Sequence, residues 1–538
     1  MSRHPLFRRI KNITSEILRD SAKTVSQIES PELLSRRDFL LSTVALSSAV
    51  RPLSAIEKLV PKFVRGGQGS RVVIVGAGVS GLVASYRLLQ AGVEHQIFEA
   101  NNRLGGRIIT RKTFNKEGMF CELGGEVIDS TQHSILGICE ELKVPLEDFS
   151  ETDMGFTKIY FSQGKLRTEE EVQTAAKPLL KIMLKDMSFM KVDGKLQTPT
   201  YNKKMGSAVY ALDRMSLVEY LQSKKDWVES WLLDLIQEAY ESEFGVTAAD
   251  QSALNLLALF DDDPNQAFKM YGTSDETKRV VGGNSNLIQT LQKKTDSKVA
   301  MHMGHRLVRV TDLGTGFELT FLTAGKTKVV KADRVIMTVP FSVLRSVEGM
   351  NKLELSPAKK KSIAELGYGT DSKLMIGFKE KFWRKQNGAV PPSCGTMFGD
   401  FPTQCFWETS RLQKGNHGII TALFGGDRGL NPPTNVFEMA IKDLEKIYPN
   451  ASEKWDGNKI FMNWPKMEYA LGSYSTPKVG QYTTIIGSAG EPELGGRMLF
   501  AGEHCSVQKQ GYMDGAVESG NAVAKQFLEN KNRVVSGK

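Results

Sequence analysis

The chain has 538 residues, of which 41% are hydrophobic and 24% are charged. That composition excludes a disordered chain, and the lack of any run of about 18 apolar residues excludes an ordinary transmembrane helix. The formal net charge is +9, but residues 1–65 alone hold 12 Lys and Arg against 6 Asp and Glu. The body of the chain therefore has no basic surface that would indicate a nucleic-acid partner.

The N-terminal segment resembles a twin-arginine export signal. Residues 35–40 read SRRDFL, and the apolar run 39–50 is too short to span a bilayer but typical of a signal sequence. The resemblance implies that the twin-arginine export machinery carries the folded protein to the periplasm or out of the cell. A cytoplasmic protein with a basic N-terminal extension is the alternative. In both cases residues 1–69, which end in a glycine-rich linker, are assigned outside the folded domains.

The first predicted element of the folded part is a dinucleotide-binding unit. The β-branched run 71–75 predicts a buried parallel strand, and it leads into residues 76–81, which read GAGVSG. A helical pattern follows up to Gly92, and a second strand, 95–98, delivers Glu99. Because the glycines permit a tight turn and a helix N-terminus attracts phosphate, this arrangement predicts a bound dinucleotide, with Glu99 on the ribose hydroxyl groups.

The next motif indicates which dinucleotide is bound. Residues 101–107 read NNRLGGR and resemble the RxGGR motif of the GG-doublet flavoproteins. Two arginines beside a glycine pair can reach a pyrophosphate while the backbone stays close to it. An ordinary NAD-binding unit does not require this motif, so the resemblance implies FAD.

The stretch from about residue 71 to 529 resembles the flavin-containing amine oxidases of the monoamine oxidase type. The matching motifs are CELGGE at 121–126, RVVGG at 279–283, VIMTVP at 335–340, LFAGE at 499–503 and GYMDGAVESG at 511–520. The resemblance implies an α/β fold with a discontinuous, Rossmann-like FAD-binding domain and an α+β substrate-binding domain.

The FAD-binding domain must be discontinuous because the matching motifs lie far apart in the sequence. Its predicted parts are 70–148, 279–345 and 455–530. The predicted substrate domain consists of 149–278, where 227–244 has the apolar spacing of an amphipathic helix, and 346–454. Residues 531–538 are assigned to a tail.

The resemblance also implies which residues contact FAD. Glu503 corresponds to a residue near the pyrophosphate and the ribityl chain, and the helix that starts near Gly511 is expected to point its N-terminus at the flavin. The implied FAD-binding residues are Gly76, Gly78, Val79, Ser80, Gly81, Glu99, Ala100, Arg103, Gly105, Gly106, Arg107, Gly124, Gly125, Glu126, Leu307, Gly502, Glu503, Gly511, Tyr512 and Met513.

Four residues are implied to act on the substrate or the flavin. Lys373, which precedes the apolar run 374–378, corresponds to the family lysine that holds a water against flavin N5. Tyr474 and Tyr512 correspond to the two tyrosines of an aromatic cage that receives the amine. Trp464 corresponds to a family aromatic residue near the flavin ring system.

Two departures from the family pattern refine these expectations. Ser473 stands where monoamine oxidases with covalent flavin carry Cys, and serine cannot form that thioether, so non-covalent FAD is predicted. Typical L-amino-acid oxidases place an arginine shortly after the second glycine pair to hold the substrate carboxylate. Glu126 and Val127 occupy that stretch here, which argues against a standard amino-acid oxidase.

The resemblance implies an FAD-dependent oxidase that transfers a hydride from an amine to flavin N5. The products are an imine, which hydrolyses to an aldehyde and ammonia or an amine, and hydrogen peroxide from molecular oxygen. The alternatives are an L-amino-acid oxidase or tryptophan 2-monooxygenase, a carbon–carbon desaturase, and a flavoprotein without catalysis. No metal site is indicated, because the five cysteines are scattered. The sequence leaves open which amine is oxidised, whether oxygen is the acceptor, and whether the chain forms a homodimer.

Overall fold

The computed structural model describes the backbone of residues 71–536 and the side chains as far as residue 529. The predicted export signal, assigned to residues 1–69, lies outside this range and stays a prediction. The residues assigned to a tail, 531–538, are helical as far as Ser536, where the last helix ends. Between residues 71 and 536, none of the helices combines the length and the apolar character that crossing a membrane requires.

Thirteen α-helices lie in the described part of the chain. They are α1 (Val79–Gln90), α2 (His133–Leu142), α3 (Glu169–Ser188), α4 (Ser207–Arg214), α5 (Leu217–Gln222), α6 (Ser230–Phe244), α7 (Leu254–Ala258), α8 (Ser285–Thr295), α9 (Phe341–Leu344), α10 (Pro357–Glu365), α11 (Gly426–Leu430), α12 (Val436–Glu445) and α13 (Met513–Ser536).

The same residues form 21 strands. They are β1 (Val72–Val75), β2 (His95–Phe98), β3 (Thr110–Arg111), β4 (Cys121–Glu122), β5 (Leu146–Asp148), β6 (Thr157–Ser162), β7 (Lys165–Arg167), β8 (Lys191–Val192), β9 (Lys195–Leu196), β10 (Lys278–Val280), β11 (Ala300–His302), β12 (Arg306–Asp312), β13 (Phe317–Thr323), β14 (Lys326–Ala332), β15 (Arg334–Met337), β16 (Ser372–Phe378), β17 (Ser393–Gly399), β18 (Cys405–Glu408), β19 (Gly418–Phe424), β20 (Trp455–Asn463) and β21 (Met498–Phe500).

A five-stranded parallel sheet has the order β11-β2-β1-β15-β21. Its central strand β1 is buried at every position, as expected for a β-branched run that is covered on both faces. Helices α1 and α13 pack closely together, since a Cβ on Gly520 would lie 2.6 Å from the Ser80 carbonyl oxygen. The sheet therefore gathers strands from three distant parts of the chain.

A second, seven-stranded sheet has the order β20-β16-β19-β18-β17-β6-β7. Its neighbouring strands are antiparallel except for the parallel pair β17 and β6. Strand β16, which carries Lys373, is buried along its whole length. Strand β20 pairs with β16. Residues 455–463 therefore belong to this sheet, although the domain boundaries predicted from the sequence placed them in the FAD-binding domain. Strand β20 has no fully buried position and no motif, which explains the misplacement.

Helix α6 lines the cavity that is described below. Its apolar face includes Trp231 and Tyr240, which are buried. The helix begins at Ser230 and not at Trp227, where the apolar spacing placed its start. It ends at Phe244 and is capped by Gly245, whose φ of 65° lies in the left-handed region that favours glycine. The last carbonyl groups of such a helix have no partners within it and can accept hydrogen bonds from other residues.

Candidate active site

A cavity of about 600 Å³ opens at the carboxyl ends of the parallel strands β1, β2, β15 and β21, where open α/β sheets usually bind ligands. Its volume falls in the range of about 300–1,000 Å³ that is usual for ligand sites. The lining extends from the glycine-rich loop to Lys373, Tyr474 and Tyr512. Every residue that the sequence assigned to the site lines this cavity, except Gly81.

The glycine-rich loop presents open backbone to the cavity. Gly76 has a φ of 106°, a left-handed value that favours glycine. Gly81 must also be glycine, because a Cβ there would lie 2.2 Å from the Gly76 carbonyl oxygen. Gly78 is the uncapped N-cap of α1, and a Cβ on it would meet nothing closer than Gly106 Cα at 4.0 Å. The loop therefore offers unpaired N–H groups and space, which a pyrophosphate requires.

Glu99 follows β2 and holds this loop in place. Its Oε2 accepts a hydrogen bond from Ala77 N at 2.6 Å, and its Oε1 accepts one from Asn101 N at 2.8 Å. Burial raises the pKa of this carboxyl group, although the backbone hydrogen bonds oppose the change. Because Glu99 also lines the cavity, the remaining acceptor capacity of its oxygen atoms is available for ribose hydroxyl groups.

Arg103 and Arg107 have different partners. Arg103 Nη2 donates to the Gly106 carbonyl oxygen at 2.6 Å and so stabilises its own loop. Arg107 Nη1 donates to the Ser473 carbonyl oxygen and to Glu503 Oε1, each at 2.8 Å. The motif thus joins the first FAD-binding segment to one that lies 396 residues later.

Glu503 connects the cofactor part of the cavity to two predicted catalytic residues. Its carboxylate accepts hydrogen bonds from Ser475 N at 3.1 Å, from Ser475 Oγ at 2.6 Å and from Gly511 N at 2.8 Å. Burial alone would raise its pKa, but the charge of its paired arginine and the serine hydrogen bond keep the pKa below its ordinary value. Ser475 follows Tyr474 and Gly511 precedes Tyr512, so one ionised carboxylate fixes both tyrosine segments.

Lys373 is buried, and all three of its N–H groups have protein acceptors. Its Nζ donates to Glu122 O at 2.9 Å, to Gly124 O at 3.1 Å and to Glu126 Oε2 at 2.9 Å. Glu126 Oε1 in turn accepts from Thr409 Oγ1 at 2.7 Å. Burial would raise the pKa of Glu126, but the charge of Lys373 holds it below its ordinary value. A water on Lys373, as the family resemblance implies, requires the exchange of one of these bonds.

Trp464 and Met513 explain why the second glycine pair has no side chains. Trp464 Nε1 donates to the Leu123 carbonyl oxygen at 2.9 Å. A Cβ on Gly124 would lie 1.9 Å from the Arg107 carbonyl oxygen and 2.9 Å from the Trp464 ring, and one on Gly125 would lie 2.8 Å from Met513 Cγ. The two glycines therefore let the indole ring and the start of α13 approach the backbone that lines the cavity.

The two predicted cage tyrosines meet at the end of α6. The Tyr474 hydroxyl donates to the Glu243 carbonyl oxygen, one of the carbonyl groups in the last turn of that helix. The Tyr512 hydroxyl lies 3.3 Å from Glu243 Oε1 and donates to it. Glu243 therefore contacts both rings, one through its backbone and the other through its side chain.

We call the part of the cavity around these rings the cage end. Its lining residues are Glu126, Glu243, Phe244, Leu259, Glu276, Asp371, Lys373, Trp407, Tyr474 and Tyr512. The sequence analysis did not identify Glu243, Glu276, Asp371 or Trp407 as site residues. No family motif marks these four. Acidic residues at helix ends and in loops are common on any protein surface, and Trp407 is a single aromatic residue in a short strand, so no sequence signal distinguished them.

Ser473 lies beside one of these carboxylates. Its hydroxyl donates to Asp371 Oδ2 at 2.6 Å. Burial raises the pKa of Asp371 to about 8, although the hydrogen bond from Ser473 opposes the change. The hydroxyl group of Ser473 is therefore held by a neighbouring side chain at the position where a thioether would require sulfur.

Comparisons with known proteins agree with this geometry. The family model described as flavin containing amine oxidoreductase matches residues 79–528. An L-amino-acid oxidase of Echis ocellatus is 24% identical over 475 residues, which cover 84% of this chain and 88% of that protein.

Two solved structures share the fold. Wild-type putrescine oxidase bound to putrescine gives a TM-score of 0.69 at 19% identity and covers 86% of this chain and 99% of its own. Cyclohexylamine oxidase from Brevibacterium oxydans IH-35A gives a TM-score of 0.70 at 16% identity, with coverages of 86% and 100%. The predicted fold class is therefore confirmed. Because the family model spans most of the chain, this protein belongs to the flavin-containing amine oxidoreductases, a family of enzymes whose members bind FAD.

Proposed function

We propose that this enzyme oxidises amines that carry no carboxylate group. The observation that carries the proposal is the lining of the cage end, which consists of aromatic rings, apolar side chains and carboxylates. Among the described residues, Lys373 is the only Lys or Arg at the cage end, and it is paired with Glu126 at 2.9 Å. An amine between Tyr474 and Tyr512 would meet aromatic faces, which attract cations and exclude water.

The alternative, an L-amino-acid oxidase, needs a cation for the substrate carboxylate. Three arginines among residues 71–529 line the cavity. Each is bonded to a partner in the cofactor part of the cavity. Arg103 bonds its own loop, Arg107 pairs with a buried glutamate, and Arg306 pairs with Glu468 at 3.0 Å. A substrate carboxylate at the cage end would instead lie among the acidic side chains of Glu243, Glu276 and Asp371, whose raised pKa values indicate that this site already disfavours negative charge.

The residues of the chain would position the reactants. When bound, FAD would supply the redox chemistry, that is, the acceptance of a hydride equivalent from the α-carbon of the amine and the transfer of two electrons to oxygen to give hydrogen peroxide. Tyr474 and Tyr512, held by Glu243, would orient the amine and exclude water. Lys373 would keep its ammonium group beside the second glycine pair. The imine product hydrolyses to an aldehyde and ammonia or a shorter amine.

The test is anaerobic reduction of the purified FAD enzyme by matched pairs of compounds. Each pair is an amine and the amino acid that differs from it only by the carboxylate, such as phenethylamine and L-phenylalanine. We expect the amines to bleach the flavin band at roughly 450 nm and the amino acids to act at least about tenfold more slowly, since each factor of ten needs only about 1.4 kcal/mol of repulsion. Equal or faster bleaching by the amino acids would contradict the proposal.

We also infer that FAD is held without a covalent bond. Ser473 has no sulfur, and its hydroxyl is bonded to Asp371. Acid precipitation is therefore expected to release the flavin into the supernatant, and yellow colour that stays with the washed wild-type precipitate would refute the inference. Ser473→Cys is the matched variant, because it restores the sulfur that a thioether needs at an otherwise unchanged site.

A further inference from the structure

Two carboxylates at the cage end have no cationic partner. Among residues 71–529, neither Glu243 nor Glu276 forms an ion pair with a Lys or Arg: Lys373 is paired with Glu126 and Arg411 with Asp153. Lys158 acts on Glu276 only through its charge and makes no ion pair with it. Among the described residues, the carboxylate of Glu243 accepts only the hydrogen bond of 3.3 Å from the Tyr512 hydroxyl. No side chain or backbone group in the described part of the chain donates to the carboxylate of Glu276, which lines the cavity.

The end of α6 adds to the negative potential at this point. Glu243 lies in the last turn of the helix, and that turn contains no basic residue. The C-terminus of a helix carries a partial negative charge from its aligned peptide groups. The carboxylate and the helix end therefore favour a positive charge directly beside the two cage tyrosines.

Glu276 is held in the cavity wall by a buried residue behind it. Its φ of 50° lies in the left-handed region, and its N–H donates to Asp129 Oδ1 at 2.9 Å. Asp129 is buried and also accepts hydrogen bonds from Ser274 Oγ at 2.9 Å and Gln132 Nε2 at 3.0 Å. Asp129 thus positions Glu276 and adds a second negative charge to the same wall.

A third carboxylate faces the same space. Asp371 is 2% exposed, lines the cavity, and has no hydrogen-bond partner for its Oδ1 among the described residues. Burial raises the pKa of Glu243 well above its ordinary value, and the charges of Glu276 and Asp371 add to the change. Burial also raises the pKa of Glu276, although the charge of Lys158 opposes the change. A bound cation would offset this repulsion and would supply the donors that these oxygen atoms lack.

We propose that Glu243 and Glu276 form a binding subsite for a second ammonium group of the substrate, so that the preferred substrates are diamines or longer polyamines. This inference rests on the proposed amine oxidation and names its substrate class. One nitrogen of the substrate lies between Tyr474 and Tyr512, and the other reaches the two carboxylates. A monoamine with an apolar tail would bury that tail against the carboxylates and gain no charge-assisted hydrogen bond from them.

The test compares straight-chain diamines, from 1,3-diaminopropane to 1,8-diaminooctane, with the monoamines of the same length. For the best diamine, we expect the wild-type kcat/KM to exceed that of its monoamine by about 10- to 100-fold, the usual effect of one hydrogen bond to a charged group. In Glu276→Gln this ratio should fall about tenfold, mainly because KM for the diamine rises. The matched control is Glu170→Gln on the exposed face of α3, which should leave both activities unchanged.

Different results would overturn different claims. A wild-type enzyme that oxidises monoamines as well as every diamine would remove the subsite and leave the proposed function intact. An unchanged ratio in Glu276→Gln would do the same, provided that the variant keeps its FAD absorption. Failure of the wild-type enzyme to oxidise any amine would remove the proposed function itself. Gln replaces an unpaired carboxylate with an uncharged group of the same shape, so the variant is expected to fold.

Discussion

Lys373→Met is expected to slow the reaction of the reduced enzyme with oxygen by about a hundredfold, the usual effect of removing one preorganised polar group from an active site. It should also lower the free energy of unfolding by about 3–5 kcal/mol, because it leaves the buried carboxylate of Glu126 without its partner. The side chains of Lys373 and Glu126 are only 7% and 4% exposed. The measurements are stopped-flow reoxidation of photoreduced protein and urea unfolding.

The control is the double variant Lys373→Met/Glu126→Gln. It removes both charges of the pair, so stability should largely return while the reaction with oxygen stays slow. Reoxidation of Lys373→Met at the wild-type rate would show that the lysine has no part in the oxygen reaction.

The stability loss in Lys373→Met should also depend on pH. The pKa of Glu126 is lowered in the native protein by Lys373, so the pair stabilises the fold above the ordinary Glu pKa of about 4.3, and this contribution is lost as the pH falls through the lowered pKa. The difference in stability between the wild type and Lys373→Met should therefore shrink on acidification. A difference that stays constant down to the lowest pH would contradict the ion pair.

Tyr512→Ala is expected to lower kcat/KM for amines by about a hundredfold while FAD stays bound. The ring is predicted to form one wall of the cage, and loss of that wall would let the amine leave the orientation that hydride transfer requires. Tyr512→Phe is the matched control, because it keeps the ring and removes only the hydroxyl that donates to Glu243; its kcat/KM should fall less than about tenfold, as for the loss of one hydrogen bond. Steady-state kinetics and FAD absorption are the measurements. Amine turnover by Tyr512→Ala at the wild-type rate would remove the tyrosine from the cage.

The proposed diamine subsite adds a constraint to the interpretation of these variants. Glu243 contacts both cage tyrosines, so changes at Tyr512 also alter the environment of that carboxylate. Kinetics of Tyr512→Phe with a diamine and with its monoamine would separate the two effects. A loss confined to the diamine would indicate that the hydroxyl helps to place the carboxylate, whereas an equal loss for both would indicate that it orients the ring.

The sequence by itself determined the dinucleotide unit and the fold class. The loop at 76–81, its flanking strands and Glu99 are consecutive in the chain, so local turn and strand preferences are enough to define them. Lys373, Tyr474 and Tyr512 were found because they lie in short motifs that resemble a family. The same local patterns misplaced β20, because a half-exposed strand carries little periodic signal about which sheet it joins.

Only the tertiary structure decided the chemistry of the cage end. The ion pair between Lys373 and Glu126 joins residues that lie 247 positions apart, and Glu243 and Glu276 come from a helix end and a loop without motifs. Whether such a carboxylate is solvated or buried, and whether a cation accompanies it, depends on how distant segments pack, and no local pattern encodes that packing. The position of Lys373 in the cavity was therefore predictable from its motif, whereas its partner and the unpaired carboxylates of Glu243 and Glu276 became visible only in the fold.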